Sequence, residues 1–319
     1  MNTKLVYTLV GSVGDVYLGQ AIISAYTARK TNPSAKIVMV VDETTGNAIK
    51  TIPTINDYFD DVVEVKVPDT LNKVQASRYL KTTLRQQIQG DYLYIDTDTV
   101  IIGDLSGCDA LTADVAAVLD RHAVVEQHPT LSGVKIDLRT VGLAVEDLRS
   151  KYFNSGVMYL KDSVLAHNFY NCWHRHWDEA RKSGHNIDQP PLAKANKECG
   201  YIIQELSGEW NCQMVDNFIN IMDNAKVLHY FASHRRSPYK LYDEVLLKKV
   251  AETGVIDDEL KAALEHPKSL FREQHLLVHG DDIAFNHSYV HALYASPHRW
   301  VFNLFEGISR FLVTRSFKK

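Results

Sequence analysis

Asp96-Thr97-Asp98 lies in the stretch DYLYIDTDTVIIGDL (residues 91–105), a run otherwise dominated by Tyr, Ile, Leu and Val. Two carboxylates one residue apart in such a run are costly to bury unless something positive compensates them. Three readings are open. The residues form a polar turn between the strands predicted at Tyr92–Ile95 and Val100–Ile102, or a calcium loop, or a carboxylate pair that holds Mg²⁺ or Mn²⁺ against phosphate oxygens. The calcium loop fails, because no glycine and glutamate follow at EF-hand spacing. The third reading suits a hard cation, which keeps one or two protein carboxylates and lets phosphate complete its shell.

Other candidates are weaker. Gly11-Ser12-Val13-Gly14 is neither a dinucleotide fingerprint nor a P-loop, which argues against a dinucleotide-dependent dehydrogenase. His174-Arg175-His176 falls in a helical segment, where positions i and i+2 face different ways, so the two histidines are not a metal pair. Trp173 and Trp177 at i, i+4 read as core. The four cysteines are dispersed with no C-x-x-C, which fits free thiols better than a disulfide frame. The sequon Asn286-His287-Ser288 carries little meaning without a secretory signal.

The elements that must position Asp96 and Asp98 alternate. Leu5–Val10 reads as a strand, and apolar residues from Leu18 to Tyr26 fall at helical spacing up to the stop at Asn32-Pro33. Ile37–Val41 is apolar throughout, as in a strand buried on both faces. Val62–Val67 predicts a strand, Leu71–Ile88 a helix, and Tyr92–Ile95 the next strand. Val115–Leu119, Phe153–Leu160 and Lys226–Tyr230 predict further strands. Ser163–Ser183 predicts a helix, and Asp188-Gln189-Pro190-Pro191 opens another with Asp188 as N-cap. This pattern predicts an α/β fold with a mostly parallel sheet and helices on both faces. In such sheets ligands bind beyond the carboxyl ends of the strands, where Asp96 falls.

Taken in series, YLYIDTDTVIIGDL, FNSGVMYL, DQPPLA, EWNCQ and KVLHYFAS resemble the family 8 glycosyltransferases over roughly residues 1–240. The resemblance implies a GT-A fold, a retaining mechanism and a divalent metal, Mn²⁺ with Mg²⁺ as the alternative. It implies metal ligands at Asp96, Asp98 and His229, although His229 alone would read as a core histidine. Thr97 is placed beside the donor ribose, Thr8 and Arg78 near the donor, and Asp120, Asn154, Asp188 and Gln189 at the hydroxyls of the donor sugar. Taken singly, Arg78 would be a solvated helix face, Asp120 a strand-end acid, Asn154 a turn amide and Asp188 a cap. The family's glycine and lysine after the metal histidine are here Ala232 and Arg235, and Arg235 is suited to a diphosphate. The implied activity is transfer of galactose or glucose from a UDP-sugar donor to a glycan or glycolipid acceptor of a bacterial surface. A self-glycosylating primer and a non-catalytic sugar-nucleotide-binding protein are the alternatives.

The chain has 319 residues, 45% hydrophobic and 23% charged, with a net charge of −4, so the whole chain carries no nucleic-acid footprint. Residues 1–240 are expected to form the catalytic domain and 241–319 a helical C-terminal region. In PHRWVFNLFEGISRFLVTRSFKK, Trp300, Val301, Leu304, Phe305, Ile308, Phe311 and Leu312 share a helical face. Arg299, Arg310, Arg315, Lys318 and Lys319 surround a single acid, Glu306. Such a helix suits an anionic membrane surface, or docks on the core or a second subunit. With neither a signal-peptide pattern nor a spanning segment, the expected location is the cytoplasm, with peripheral binding to the cytoplasmic face of the membrane.

Overall fold

The structure is a computed structural model. It describes residues 1–215, 218–231, 241, 243–268 and, further on, 298, 300, 301, 303–305, 307, 308 and 311. The strands are β1 (Lys4–Leu9), β2 (Ile37–Asp42), β3 (Asp61–Val65), β4 (Tyr92–Ile95), β5 (Thr99–Ile101), β6 (Val115–Leu119), β7 (Phe153–Leu160), β8 (Ile203–Glu205), β9 (Cys212–Gln213) and β10 (Val227–His229). Seven of them form one sheet in the order β3-β2-β1-β4-β7-β6-β8. The pairs β3/β2, β2/β1, β1/β4 and β6/β8 are parallel. β7 runs antiparallel to both its neighbours. Sequence could not show that reversal, because β7 is buried at every position and carries no face pattern that depends on direction. A small second sheet, β5-β10-β9, stands beside the first.

Alternate side chains of the strands feed two cores. Leu5, Tyr7 and Leu9 pack with the helix Val16–Thr31. Val6, Val38 and Val40 pack with Leu80, Phe169 and Trp173 from the helices Lys73–Thr82 and Val164–Lys182. The predicted helix Leu71–Ile88 is two, Lys73–Thr82 and Leu84–Gln87, joined at Thr83. The helix Glu244–Thr253 lies on Val16–Thr31, and its Leu247, Val250 and Ala251 are buried in the first core. Gly19 permits that contact: a Cβ there would stand 2.2 Å from the Leu247 carbonyl oxygen.

The register of β4 against β7 builds the site. Ile95 faces Val157, and one step on the Asp96 N–H donates to the Gly156 carbonyl at 2.7 Å. β10 pairs with β5 so that His229 faces Thr99, and Tyr230 N–H donates to the Asp98 carbonyl at 3.1 Å. Asp96, Asp98, Asn154 and His229 come from the ends of four strands, β4, β5, β7 and β10, and meet at one place.

Candidate active site

These strand ends border a cleft of about 420 Å³. Asp96, Thr97 and Asp98 line it together with Asp188 and Gln189, and so do Thr8, Arg78, Asn154 and His229. Asp120 is not among the lining residues and sits behind Asn154, whose Nδ2 donates to Asp120 Oδ1 at 2.9 Å. Arg235 lies outside the described residues. The remaining site residues predicted from sequence therefore share one cleft.

Asp96, Asp98 and His229 each present a ligand atom within 4.8 Å of the other two. His229 Nε2 stands 3.3 Å from Asp98 Oδ1. On the other side of the ring, Nδ1 lies 3.0 Å from Asn211 Oδ1, which can only accept, so Nδ1 carries the proton. Nε2 is thereby turned to the carboxylates, and its lone pair points at them once its proton is given up to an incoming cation. Burial works to lower the imidazole pKa, but Asp98 and Asp96 outweigh it and the net direction is upward. Two carboxylates and one oriented imidazole fit a divalent ion of the Mn²⁺ type. Gly156 makes room for the ring: a Cβ there would stand 2.3 Å from His229 Cε1. Phe231 stacks on the other face, with centroids 4.2 Å apart.

A buried polar chain continues from Asn211. Its Nδ2 donates to Asn154 Oδ1 at 2.9 Å, an oxygen that also accepts from Gly156 N–H at 2.9 Å. Beyond Asn154 comes Asp120, whose Oδ2 is 2.9 Å from His128 Nε2. Thr130 N–H donates to His128 Nδ1, which leaves the His128 proton on Nε2, facing Asp120. Burial pushes the Asp120 carboxyl up, yet His128 and Asn154 pull it below its ordinary value.

Lys81 went unrecognised in the sequence. It is 3% exposed, and its Nζ lies 3.2 Å from Asp96 Oδ1, 3.3 Å from Asp188 Oδ2 and 3.1 Å from Ser155 Oγ. It supplies the positive charge that two aspartates in a β-rich run demand. The signal that could have found it is its place one turn after Arg78 on the same helix face. Arg78 Nε lies 3.0 Å from Asp188 Oδ1, a charge contact whose N–H is not aimed at the oxygen.

Asp188 stands at the N-cap position of the helix Gln189–Glu198, but its side chain makes no capping bond. The expectation of a capping side chain is corrected: the carboxylate turns to Ser155, Lys81 and Arg78 instead. Burial opposes its ionisation, but Lys81 and Arg78 win and hold it well below the usual carboxylate range. Trp173 Nε1 donates to the Asp188 carbonyl at 2.9 Å and fixes the start of that helix.

The model of glycosyl transferase family 8 matches residues 9–235. The chain belongs to this family and is a glycosyltransferase. No curated protein matches it. Among solved structures, it is similar to the galactosyltransferase LgtC in complex with donor and acceptor sugar analogs, at 14% identity and a TM-score of 0.51. That match covers 82% of this chain and 99% of the other. An active-site mutant of LgtC matches at 15% identity and a TM-score of 0.52, over 81% of this chain and 99% of that one. The glycosyltransferase GlyE of Streptococcus pneumoniae TIGR4 matches at 14% identity and a TM-score of 0.50, over 84% of this chain and 65% of its own. The fold is GT-A, a mostly parallel sheet between helices.

Proposed function

We propose that the chain transfers galactose or glucose, with retention, from a UDP-sugar to a glycan or glycolipid acceptor of a bacterial surface polysaccharide, lipopolysaccharide or glycoprotein. The observation that carries this reading is the convergence of Asp96, Asp98 and His229 at the wall of the cleft that also holds Asp188, Gln189 and Asn154. In this reading Asp96, Asp98 and His229 hold Mn²⁺, with Mg²⁺ as the alternative. A bound divalent ion supplies a Lewis acid that neutralises charge on the departing diphosphate.

The chain's own residues do the rest. Arg78, on the cleft wall, offers fixed positive charge to the donor. Lys81 ties Asp96 to Asp188, so the metal side and the sugar side are held at one spacing. Asp188, Asn154 and Gln189 face the sugar, where the carboxylate and amide oxygens stabilise positive charge developing on the ring. A carboxamide such as Gln189 is a poor nucleophile, so we favour front-face attack, in which the leaving phosphate takes the proton of the acceptor hydroxyl.

Residues 1–240 form the catalytic domain in this reading, and 241–319 a helical region that begins against it. Where described, residues 300–311 are helical, and Trp300, Leu304, Phe305, Ile308 and Phe311 are exposed. We assign this face to an anionic membrane on the cytoplasmic side. Among the described residues, no helix is long and apolar enough to cross a membrane.

A screen of sugar nucleotides for slow hydrolysis, with Mn²⁺ present and after chelation, tests the donor. The expected result is metal-dependent release of UDP from UDP-galactose or UDP-glucose; equal turnover after chelation would overturn the metal assignment. Sedimentation with anionic liposomes, with and without residues 298–319, tests the membrane face, and equal sedimentation of both proteins would sink it.

A further inference from the structure

The helix Val164–Lys182 carries Cys172 and His176 one turn apart on one face, and the helix Gln189–Glu198 ends beside them at Glu198. One ligand atom from each of these three residues lies within 4.8 Å of the other two. His176 Nε2 is 2.5 Å from Glu198 Oε2, and on the opposite side of the ring Nδ1 is 3.2 Å from Glu179 Oε2. Cys172 and His176 are buried, whereas Glu198 reaches solvent. None of the three lines the donor cleft.

A cation already stands among them. Arg175 Nη2 is 3.4 Å from Cys172 Sγ and 3.5 Å from His176 Nε2, and it bonds Glu198 Oε1 as well. One positively charged nitrogen therefore occupies the point on which thiol, imidazole and carboxylate converge. The Arg175 side chain is 53% exposed and can move out into water. Glu179 is placed as the outer carboxylates of metal-binding histidines are: it takes the Nδ1 proton and leaves Nε2 to coordinate.

We propose that Cys172, His176 and Glu198 form a second cation site, which takes a thiophilic divalent ion, zinc by its ligand chemistry, in place of the Arg175 guanidinium. One sulfur, one imidazole nitrogen and one carboxylate oxygen match zinc and disfavour Mg²⁺ or Mn²⁺, and the fourth tetrahedral position is left to water. The ion ties the helix Val164–Lys182 to the far end of the helix whose first residues are Gln189, Pro190 and Pro191. Trp173, next to Cys172, binds the other end of the same helix through the Asp188 carbonyl. The site thus braces, from outside the cleft, the helix that presents Gln189 to it.

The test is a titration of the full chain with Co²⁺, under a reductant that does not chelate, followed by absorbance. A cobalt–thiolate bond gives a near-ultraviolet charge-transfer band, whereas Asp96, Asp98 and His229 contain no sulfur and give none. The expected result is a thiolate band that saturates at one equivalent and is abolished by zinc. It persists in Asp98→Asn and Cys212→Ala and is lost in Cys172→Ser. Glu198→Gln changes an exposed side chain and keeps the test alive if Cys172→Ser misfolds; it should weaken binding at least about tenfold, and Glu179→Gln about tenfold. Arg175→Gln should tighten binding, because the competing guanidinium is gone. At free zinc about a hundred times Kd, the folding equilibrium should shift about a hundredfold. A wild-type chain with no thiolate band, a band that survives in folded Cys172→Ser, or unchanged affinity in Arg175→Gln would each overturn the proposal.

Discussion

Asp188 stands between two permanent cations, Lys81 and Arg78, whereas Asp98 stands against an imidazole whose charge is optional. Both carboxylates belong to the same cleft. The difference separates their work. A carboxylate bound to both a lysine and an arginine is a fixed part of the architecture. A carboxylate paired with a histidine can exchange that partner for an incoming ion when the ring gives up its Nε2 proton. Lys81 touches both sides, through Asp188 and Asp96, and is the joint between them.

The sharpest way to break this contrast is Lys81→Met. It leaves Asp188, Asp96 and Ser155 facing a buried position with no ammonium, and the expected loss of stability is about 3–5 kcal/mol. Chemical denaturation measures it, and a loss below about 1 kcal/mol would show that Arg78 suffices alone. Next comes Asp98→Asn. Activity should fall about 10²–10³-fold, while stability stays within about 1 kcal/mol, the range of a part-exposed pair. If Asp98→Asn unfolded the protein as readily as Lys81→Met, the division between fixed and available carboxylates would collapse.

Gly156→Ala is expected to cost about 1–3 kcal/mol, because its methyl group would overlap the His229 ring. Metal affinity should fall along with stability, and calorimetric titration with Mn²⁺ checks it. The smallest effect concerns pH. The folded-state pKa of Asp188 lies below its ordinary 3.8. Its stabilising contribution is therefore complete above that ordinary value and is lost as pH falls toward the folded one. Denaturation midpoints between about pH 5 and 2 should drop less steeply in Asp188→Asn than in the unmodified chain. Parallel slopes would mean that the Lys81 and Arg78 pairing gives no net stabilisation.

The strands were legible in the sequence because they are short apolar runs with clear ends. β1, β2, β4, β6, β7 and β10 fall where their runs predict. The break at Thr83 was not legible, since Leu84 and Ile88 keep the apolar spacing going after the backbone has left the helix. Asp96 announced itself by cost: a carboxylate in a β-rich run needs a counter-charge. Lys81 did not, because a lysine in a helix ordinarily reaches water, and nothing local reveals a 3% exposed one. Asp188 read as a cap from its place before two prolines, and only the approach of β7 and of the helix Lys73–Thr82 showed that its side chain has better partners. His176 was read against His174, two residues away, when its neighbours are Cys172 on the preceding turn and Glu198 from another helix. Contacts that need a second element are the ones a linear reading loses.

The row His128, Asp120, Asn154, Asn211, His229 has a direction, since each member hands a proton donor toward Asp120 and an acceptor away from it. Its polarity is pinned at two points: Asp120, which can only accept, and the Gly156 N–H, which holds Asn154 Oδ1 as an acceptor. Replacing Asp120 with asparagine would therefore not reverse the row, since the new amide would turn its oxygen to Asn154 Nδ2 and Asn154 would stay as Gly156 holds it. Asn211 Oδ1 would go on accepting the His229 Nδ1 proton. A change of charge outside the cleft lining thus stops at a backbone N–H of β7, and the cleft keeps its preference for cations.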